Sequence, residues 1–228
     1  MSNLRYFALG LGLLVVYLVA MAAVLFGAAG ALAVPMFWSY LTVFAVLCVA
    51  ASVAAYLLSP DLVKERVRPG EGEQDRVTVP AMNLLMFAQL LLAGLDVGRL
   101  NWSATVPFPL QILGLIGFAI GMGLTTWAML VNRFFSRAVR LQPDRGQQVV
   151  TSGPYRLVRH PGYSGGLLLL LSAGFALGSW IAMAAPILLM LPLMVRRTLI
   201  EESMLANALP GYADYMQRVR SRIFPGIW

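Results

Sequence analysis

Histidine and cysteine are almost absent from this chain of 228 residues. It contains one histidine, His160, and one cysteine, Cys48, which lies within an apolar run. One cysteine cannot form an intrachain disulfide framework or a cysteine-based zinc site, and one histidine adds too few ligands for a protein metal centre. The sequence therefore predicts neither disulfides nor a bound metal.

Charged residues are also scarce, at 12% of the chain, whereas an average soluble domain has about 25%. Hydrophobic residues make up 59% and the mean hydropathy is +0.76, which is typical of an integral membrane protein. No Gly-x-Gly-x-x-Gly follows a strand-like pattern, so a soluble Rossmann domain is excluded. The net charge is +7, but apolar runs separate the basic residues. An anionic membrane surface or a phosphate-bearing ligand is therefore favoured over nucleic acid.

Six apolar runs predict the membrane-spanning helices, since a span needs roughly 20 apolar residues. These runs are Tyr6–Phe26, Met36–Leu58, Val79–Leu95, Phe108–Val131, Gly162–Leu177 and Ile181–Val195. The last two are short and are joined by Gly178-Ser179-Trp180, which predicts a tight helical hairpin. The first run is too long for the apolar core of a usual signal peptide, about 7–15 residues, although Ala31-Leu32-Ala33 resembles a cleavage site.

The segments between and after these runs carry further expectations. Leu62–Val67, in the polar loop Asp61–Val77, predicts an amphipathic turn on the membrane surface. Asn132–Leu141 is expected to continue the fourth helix beyond the bilayer, and Arg196–Leu209 to continue the hairpin. The fourth run carries glycines whose spacing lets another helix approach closely, within the chain or between chains. They are Gly114, Gly117, Gly121 and Gly123.

The basic residues predict the orientation of the chain. With six spans, sixteen of the 17 Lys and Arg residues fall on the side of both termini, and only Arg99 falls on the other. Because cytoplasmic loops carry an excess of Lys and Arg, both termini are predicted to be cytoplasmic. A bacterial inner membrane is the expected location.

Three polar groups are expected to meet on that side: the segment Gln147–Tyr163, the pair Arg196-Arg197 and the pair Glu201-Glu202. On a helix, Arg197 and Glu201 lie four residues apart and share a face. Spacing alone leaves two interpretations open. The charges form either a ligand site or a surface ion pair worth about 0.3–0.5 kcal/mol, and His160 is either catalytic or a structural cap before a proline.

The order of the motifs in the last third of the chain resembles the isoprenylcysteine carboxyl methyltransferase family, which is grouped with the phospholipid N-methyltransferases. The resemblance covers about Gln147–Pro225. Its motifs are Gly153-Pro154-Tyr155-x3-Arg159-His160-Pro161-x-Tyr163-x-Gly165, then Glu201-Glu202-x2-Leu205, then Tyr212-x2-Tyr215-x2-Arg218-Val219. The stretch Leu209–Tyr212 departs from the family pattern by about one missing residue.

The resemblance implies binding of S-adenosylmethionine without a Rossmann domain. The implied cofactor-binding residues are Gln148, Val149, Val150, Tyr155, His160, Pro161, Gly162, Tyr163 and Glu201. Arg197 corresponds to a substrate-binding position and is placed with Glu202 in the catalytic set. Whether Glu202 or His160 would act as a base stays open at this point.

The predicted fold is an all-α integral membrane protein of about six transmembrane helices, the last two a tight hairpin, with a cytoplasmic cofactor pocket. Residues 1–131 are predicted to form a four-span bundle, and residues 132–228 the cofactor-binding methyltransferase region. The implied reaction is methyl transfer to a lipophilic or lipid substrate, most simply the carboxylate of a prenylcysteine-like molecule. The alternatives are a phospholipid amine, a small thiol, an NADPH-dependent sterol-reductase-like enzyme, or a non-catalytic membrane protein.

Overall fold

The chain folds as a bundle of helices in the computed structural model, which describes residues 3–68, 70 and 75–228. No strand occurs among these residues, so the all-α prediction is confirmed. The helices are α1 (Asn3–Ala29), α2 (Pro35–Leu58), α3 (Pro60–Val67), α4 (Thr78–Leu95), α5 (Phe108–Val131), α6 (Pro161–Ala176), α7 (Trp180–Ala208) and α8 (Tyr212–Arg218). Part of the predicted polar loop, residues 69 and 71–74, lies outside the description.

Five helices, α1, α2, α4, α5 and α7, are long and apolar enough to cross a membrane. The sixth apolar helix, α6, has 16 residues. At about 1.5 Å per residue it is roughly 24 Å long, somewhat less than the hydrocarbon core of about 30 Å. Helices α6 and α7 form the predicted hairpin, and the chain is an integral membrane protein.

The glycines of α5 let α6 lie directly against it. A Cβ atom at Gly114 would come 2.4 Å from the Ala176 nitrogen, and one at Gly121 would come 2.8 Å from the Gly165 oxygen. A Cβ at Gly117 would likewise collide with the Ser172 hydroxyl. A Cβ at Gly123 would meet nothing within 4 Å. The packing role is therefore confirmed for three of the four predicted glycines, and Gly123 lies off the contact.

Polar side chains tie α4 to the hairpin inside the membrane. The Gln89 amide nitrogen donates to the carbonyls of Leu170 and Ala182, both at 2.9 Å. At the turn of the hairpin, the Ser179 hydroxyl donates to Asp96 at 2.6 Å and accepts from the Ala182 N–H at 3.0 Å. Buried polar groups need such partners in a medium without water. These bonds therefore fix the register of α4 against the hairpin.

The expected continuation of the fourth helix over Asn132–Leu141 is wrong. Helix α5 ends at Val131, and the Asn132 side-chain oxygen accepts from the Phe134 N–H at 2.9 Å. The Gln142 amide nitrogen donates to the Phe134 carbonyl at 2.6 Å. Side-chain bonds of this kind offer the backbone an alternative to helix. The expected continuation of the hairpin is confirmed, because α7 runs unbroken to Ala208.

We expect Gly121→Val to destabilise the protein, because the added methyl groups collide with the α6 backbone rather than with a movable side chain. Overpacking of this kind typically costs about 1–3 kcal/mol. Thermal unfolding in detergent measures the effect, and Gly123→Val is the matched control on the same helix. Equal unfolding temperatures for the two variants would contradict the helix contact.

Candidate active site

A cavity opens at the end of the bundle where α6 begins and the polar part of α7 lies. Every residue that lines it falls between Asn132 and Tyr215. Eight of the nine predicted cofactor residues are in this lining: Gln148, Val149, Val150, Tyr155, His160, Gly162, Tyr163 and Glu201. The ninth, Pro161, is buried as the first residue of α6 and lies outside the lining.

The His160–Tyr163 turn places its side chains for local reasons. Pro161 suits the first position of α6, since its fixed φ matches the helix and it needs no N–H bond there. The main chain at Gly162 approaches the Phe135 ring, to which a Cβ would come within 2.7 Å. The His160 and Tyr163 rings stack with centroids 5.3 Å apart and planes inclined by 3°. The turn therefore presents two parallel rings toward α7.

The Tyr163 hydroxyl lies between two charged side chains of α7. It donates to Glu201 Oε2 at 2.6 Å and accepts from Arg197 Nε at 2.8 Å. The two charges share a helix face, as predicted, but they are joined through the hydroxyl. The Glu201 side chain is 29% exposed, whereas Arg197 is buried. The carboxylate is therefore accessible from the cavity, and the guanidinium forms part of its wall.

Arg197 has a second set of partners behind the wall. Its Nη2 donates to the Arg137 carbonyl. Its Nη1 lies 3.7 Å from Asp75 Oδ2, and neither atom has a hydrogen-bond partner among the described residues. The other Asp75 oxygen accepts from Arg196 Nη1 at 2.8 Å and from the Thr78 N–H at 3.2 Å.

Asp75 is ionised at neutral pH despite being buried. Burial alone would raise the pKa of its carboxyl, but hydrogen bonds from Thr78 and Arg196 outweigh it and lower that pKa to about 2. A full negative charge thus stands beside Arg197.

Glu202 lies outside the cavity lining, in contrast to its predicted catalytic position. Its Oε1 accepts from Arg159 Nε at 2.5 Å and lies 3.2 Å from His160 Nε2, and its Oε2 accepts from Arg222 Nε at 2.8 Å. Arg159 also donates to the Val219 and Arg220 carbonyls. The carboxylate is therefore fully used in tying α7 to the His-Pro turn and to the tail.

Several cavity residues were missed by the sequence reasoning because they follow α5, where a regular helix was expected. They are Asn132, Phe134, Phe135, Ser136, Ala138, Arg140 and Gln142. Asn132 Nδ2 donates to the Tyr155 hydroxyl at 3.2 Å, and the Tyr215 hydroxyl donates to the Tyr155 carbonyl at 2.7 Å. Burial raises the pKa of Tyr155, so it lines the cavity as a neutral phenol. The polar side chains clustered after Val131 were the available signal.

Fold and cavity together describe an all-helical membrane protein whose polar cavity lies at one end of the helix bundle. The solved eukaryotic intramembrane Ras methyltransferase, isoprenylcysteine carboxyl methyltransferase, has the same fold with a TM-score of 0.59 and 23% identity. The match covers 92% of this chain and 74% of that one. The family model described as phospholipid methyltransferase matches residues 110–210.

Two curated relatives match larger parts of the chain. A probable protein-S-isoprenylcysteine O-methyltransferase of Oryza sativa is 28% identical over 155 residues, which cover 64% of this chain and 81% of the relative. The cobalt-zinc-cadmium resistance protein CzcN of Cupriavidus metallidurans is 32% identical over 132 residues, and the chain spans 56% of its length. Together these comparisons support the resemblance to isoprenylcysteine carboxyl methyltransferases and phospholipid methyltransferases that the sequence motifs indicate.

We expect Glu202→Gln to act first on stability. Removing one partner of a buried ion pair leaves uncompensated charge, here on Arg159 and Arg222, and costs about 3–5 kcal/mol. Thermal unfolding in detergent measures the loss, with Asp214→Asn, an exposed acid on α8, as the control. A Glu202→Gln protein of wild-type stability would return the residue to consideration as a base.

Proposed function

We propose that this protein transfers the methyl group of S-adenosylmethionine to a lipophilic acceptor at the membrane surface. The observation that carries the proposal is a cavity in which the Tyr163 hydroxyl lies 2.6 Å from Glu201 and 2.8 Å from Arg197. It supplies an accessible carboxylate, aromatic faces and a buried cation within one small volume. These are the groups that a cationic cofactor and an anionic acceptor need.

The residues present fit this cofactor. Glu201 is open to the cavity and can accept from the ammonium group of the ligand. The rings of Tyr155 and Tyr163 offer faces to a sulfonium, an attraction of about 0.5–2 kcal/mol. The residues Gln148, Val149 and Val150 line one wall, where backbone groups can bind polar edges of a nucleoside. When bound, the cofactor supplies an electrophilic methyl group.

For the acceptor we propose a carboxylate on a prenylcysteine-like or other lipidic molecule. A carboxylate is ionised near neutral pH, so its attack on a methyl group requires no general base. Arg197 attracts it as a cation, with Nε held by the Tyr163 hydroxyl and Nη2 by the Arg137 carbonyl. Most of the rate would then come from alignment of two bound reactants. The similarity to the rice relative and to the solved Ras methyltransferase supports this acceptor.

The second candidate acceptor is a phospholipid amine or a small thiol, and the match to the phospholipid methyltransferase family model favours the first of these. Such a nucleophile must lose a proton. His160 suits this role better than Glu202, because its Nδ1 lies 3.7 Å from Glu201 Oε2 on the cavity side. Its Nε2 faces Glu202 at 3.2 Å, which orients the ring.

We further propose that the cavity is cytoplasmic, in a bacterial inner membrane, where the cofactor is available. The concentration of basic residues at this end of the bundle supports that orientation. The proposed division of the chain at residue 131 is supported by the lining of the cavity, which comes wholly from residues 132–215.

The proposed function predicts that detergent-solubilised protein binds S-adenosylhomocysteine and that Glu201→Gln weakens this binding at least about tenfold. A charged hydrogen bond contributes about 1.5–3 kcal/mol, and 1.4 kcal/mol is a factor of ten. Calorimetry with S-adenosylhomocysteine and with NADPH makes the comparison, with Asp214→Asn as control. Binding of NADPH instead would favour the reductase alternative, and binding of neither by folded protein would remove the proposal.

Arg197→Gln is expected to raise the acceptor KM at least about tenfold while S-adenosylhomocysteine affinity changes less than threefold. The lost group attracts the acceptor, whereas Glu201 still binds the cofactor. Methyl transfer from radiolabelled cofactor to a panel of prenylcysteine compounds and to total lipid extract gives the KM values. A parallel loss of cofactor affinity would place Arg197 on the cofactor side.

A further inference from the structure

Two arginines of the cavity lining, Arg140 and Arg197, each face a buried carboxylate from outside the region that builds the cavity. These carboxylates are Glu65, on α3, and Asp75, which precedes α4. Arg140 also pairs with the exposed Asp144 at 3.1 Å. Glu65 and Asp75 are 5% and 1% exposed. Buried carboxylates are costly unless paired. Each of these two is paired with an arginine that lines the cavity, so each can influence the position of that arginine.

Glu65 holds the irregular segment that follows α5. Its oxygens accept from Arg140 Nε and Nη2 at 3.1 and 2.9 Å, and Oε1 also accepts from the Ser136 hydroxyl at 2.7 Å. Burial opposes the ionisation of Glu65, but these bonds keep the pKa of its carboxyl below the ordinary value. Ser136 and Arg140 both line the cavity. One carboxylate therefore fixes two points of an otherwise non-helical wall.

That wall continues directly to the predicted cofactor residues. The Gln142 N–H donates to the Gln147 side-chain oxygen at 2.8 Å, and Gln147 precedes Gln148. A shift of Arg140 would thus be transmitted to the backbone proposed to bind the cofactor. Glu65 is placed to act on the cofactor side of the cavity.

Asp75 acts on the other side, through Arg197. It is anchored by Arg196 and Thr78, so its free oxygen is held facing Arg197 Nη1. It is absent from the cavity lining, and therefore lies behind the guanidinium as its counter-ion. Without this charge, a buried cation would have to be balanced by a change in position or by the acceptor alone.

We infer that Glu65 and Asp75 are positioning residues, Glu65 for the cofactor wall through Arg140 and Asp75 for the acceptor site through Arg197. The inference rests on the proposed function. It gives α3 and the segment before α4 an indirect part in the proposed reaction, although neither contributes a lining residue. The two carboxylates are expected to have separable effects, because they hold different arginines.

Glu65→Gln and Asp75→Asn test this, with Asp61→Asn as the matched control, since Asp61 is an exposed acid on α3. Glu65→Gln is expected to raise the dissociation constant of S-adenosylhomocysteine at least about fivefold with little change in acceptor KM. Asp75→Asn should raise acceptor KM by a similar factor with cofactor affinity preserved. Thermal unfolding in detergent confirms that each variant is folded.

Glu65→Gln in an Arg140→Gln background provides a second measurement, because the effect on cofactor affinity should then largely disappear. Two outcomes would overturn the inference and leave both residues structural. One is a lowered unfolding temperature with unchanged S-adenosylhomocysteine affinity and unchanged acceptor KM. The other is an equal effect of both variants on S-adenosylhomocysteine affinity and on acceptor KM. Wild-type protein that does not bind S-adenosylhomocysteine would overturn the proposed function instead. Wild-type that binds, with variants that match it, overturns only this inference.

Discussion

A guanidinium group buried at the edge of a membrane needs an anion beside it, and this requirement shapes the polar end of the bundle. Arg140, Arg159 and Arg197 are each at most 5% exposed, and each faces a carboxylate that is equally buried. Each carboxylate comes from a different segment of the chain: α3, α7 or the segment before α4. The pairs therefore act as cross-links, because a buried charge that loses its partner is costly. All three arginines line the cavity.

The Tyr163 hydroxyl has a particular consequence within this arrangement. If Arg197 and Glu201 paired directly, each would satisfy the other and the carboxylate would be unavailable to a ligand. The intervening hydroxyl accepts from one and donates to the other, so Glu201 keeps an oxygen for a cationic group. Arg197, in turn, is balanced from behind by Asp75. Under the proposed function, Arg197 and Glu201 can thus bind two different ligands from the same face of one helix.

The spans, the hairpin and eight cavity residues between Gln148 and Glu201 could be predicted from sequence, because hydropathy and closely spaced motifs carry that information locally. The end of α5 could not, since it depends on Asn132 and Gln142 bonding to backbone in place of helix. The surroundings of Glu202 could not be predicted either. Neighbouring residues such as Glu201 and Glu202 lie on different faces of a helix, but the sequence does not tell which face the C-terminal tail covers. The partners Glu65 and Arg140 are 75 residues apart, and Asp75 and Arg196 are 121 apart. No local pattern reports pairings of that range.

The residues that match the family model do not include all of the residues that hold the candidate site in place. Under the proposed function, this difference bears on which acceptor is bound. The matched residues, 110–210, include Arg140 and Arg197 but neither of their carboxylates on α3 and before α4. The counter-ion of Arg197 thus lies in a part of the chain that the shared motifs leave unspecified. A chain with the same motifs and no acid at position 75 would lack the charge that holds Arg197 in place. Under the proposed function, its acceptor site would therefore change while the residues proposed to bind the cofactor are kept.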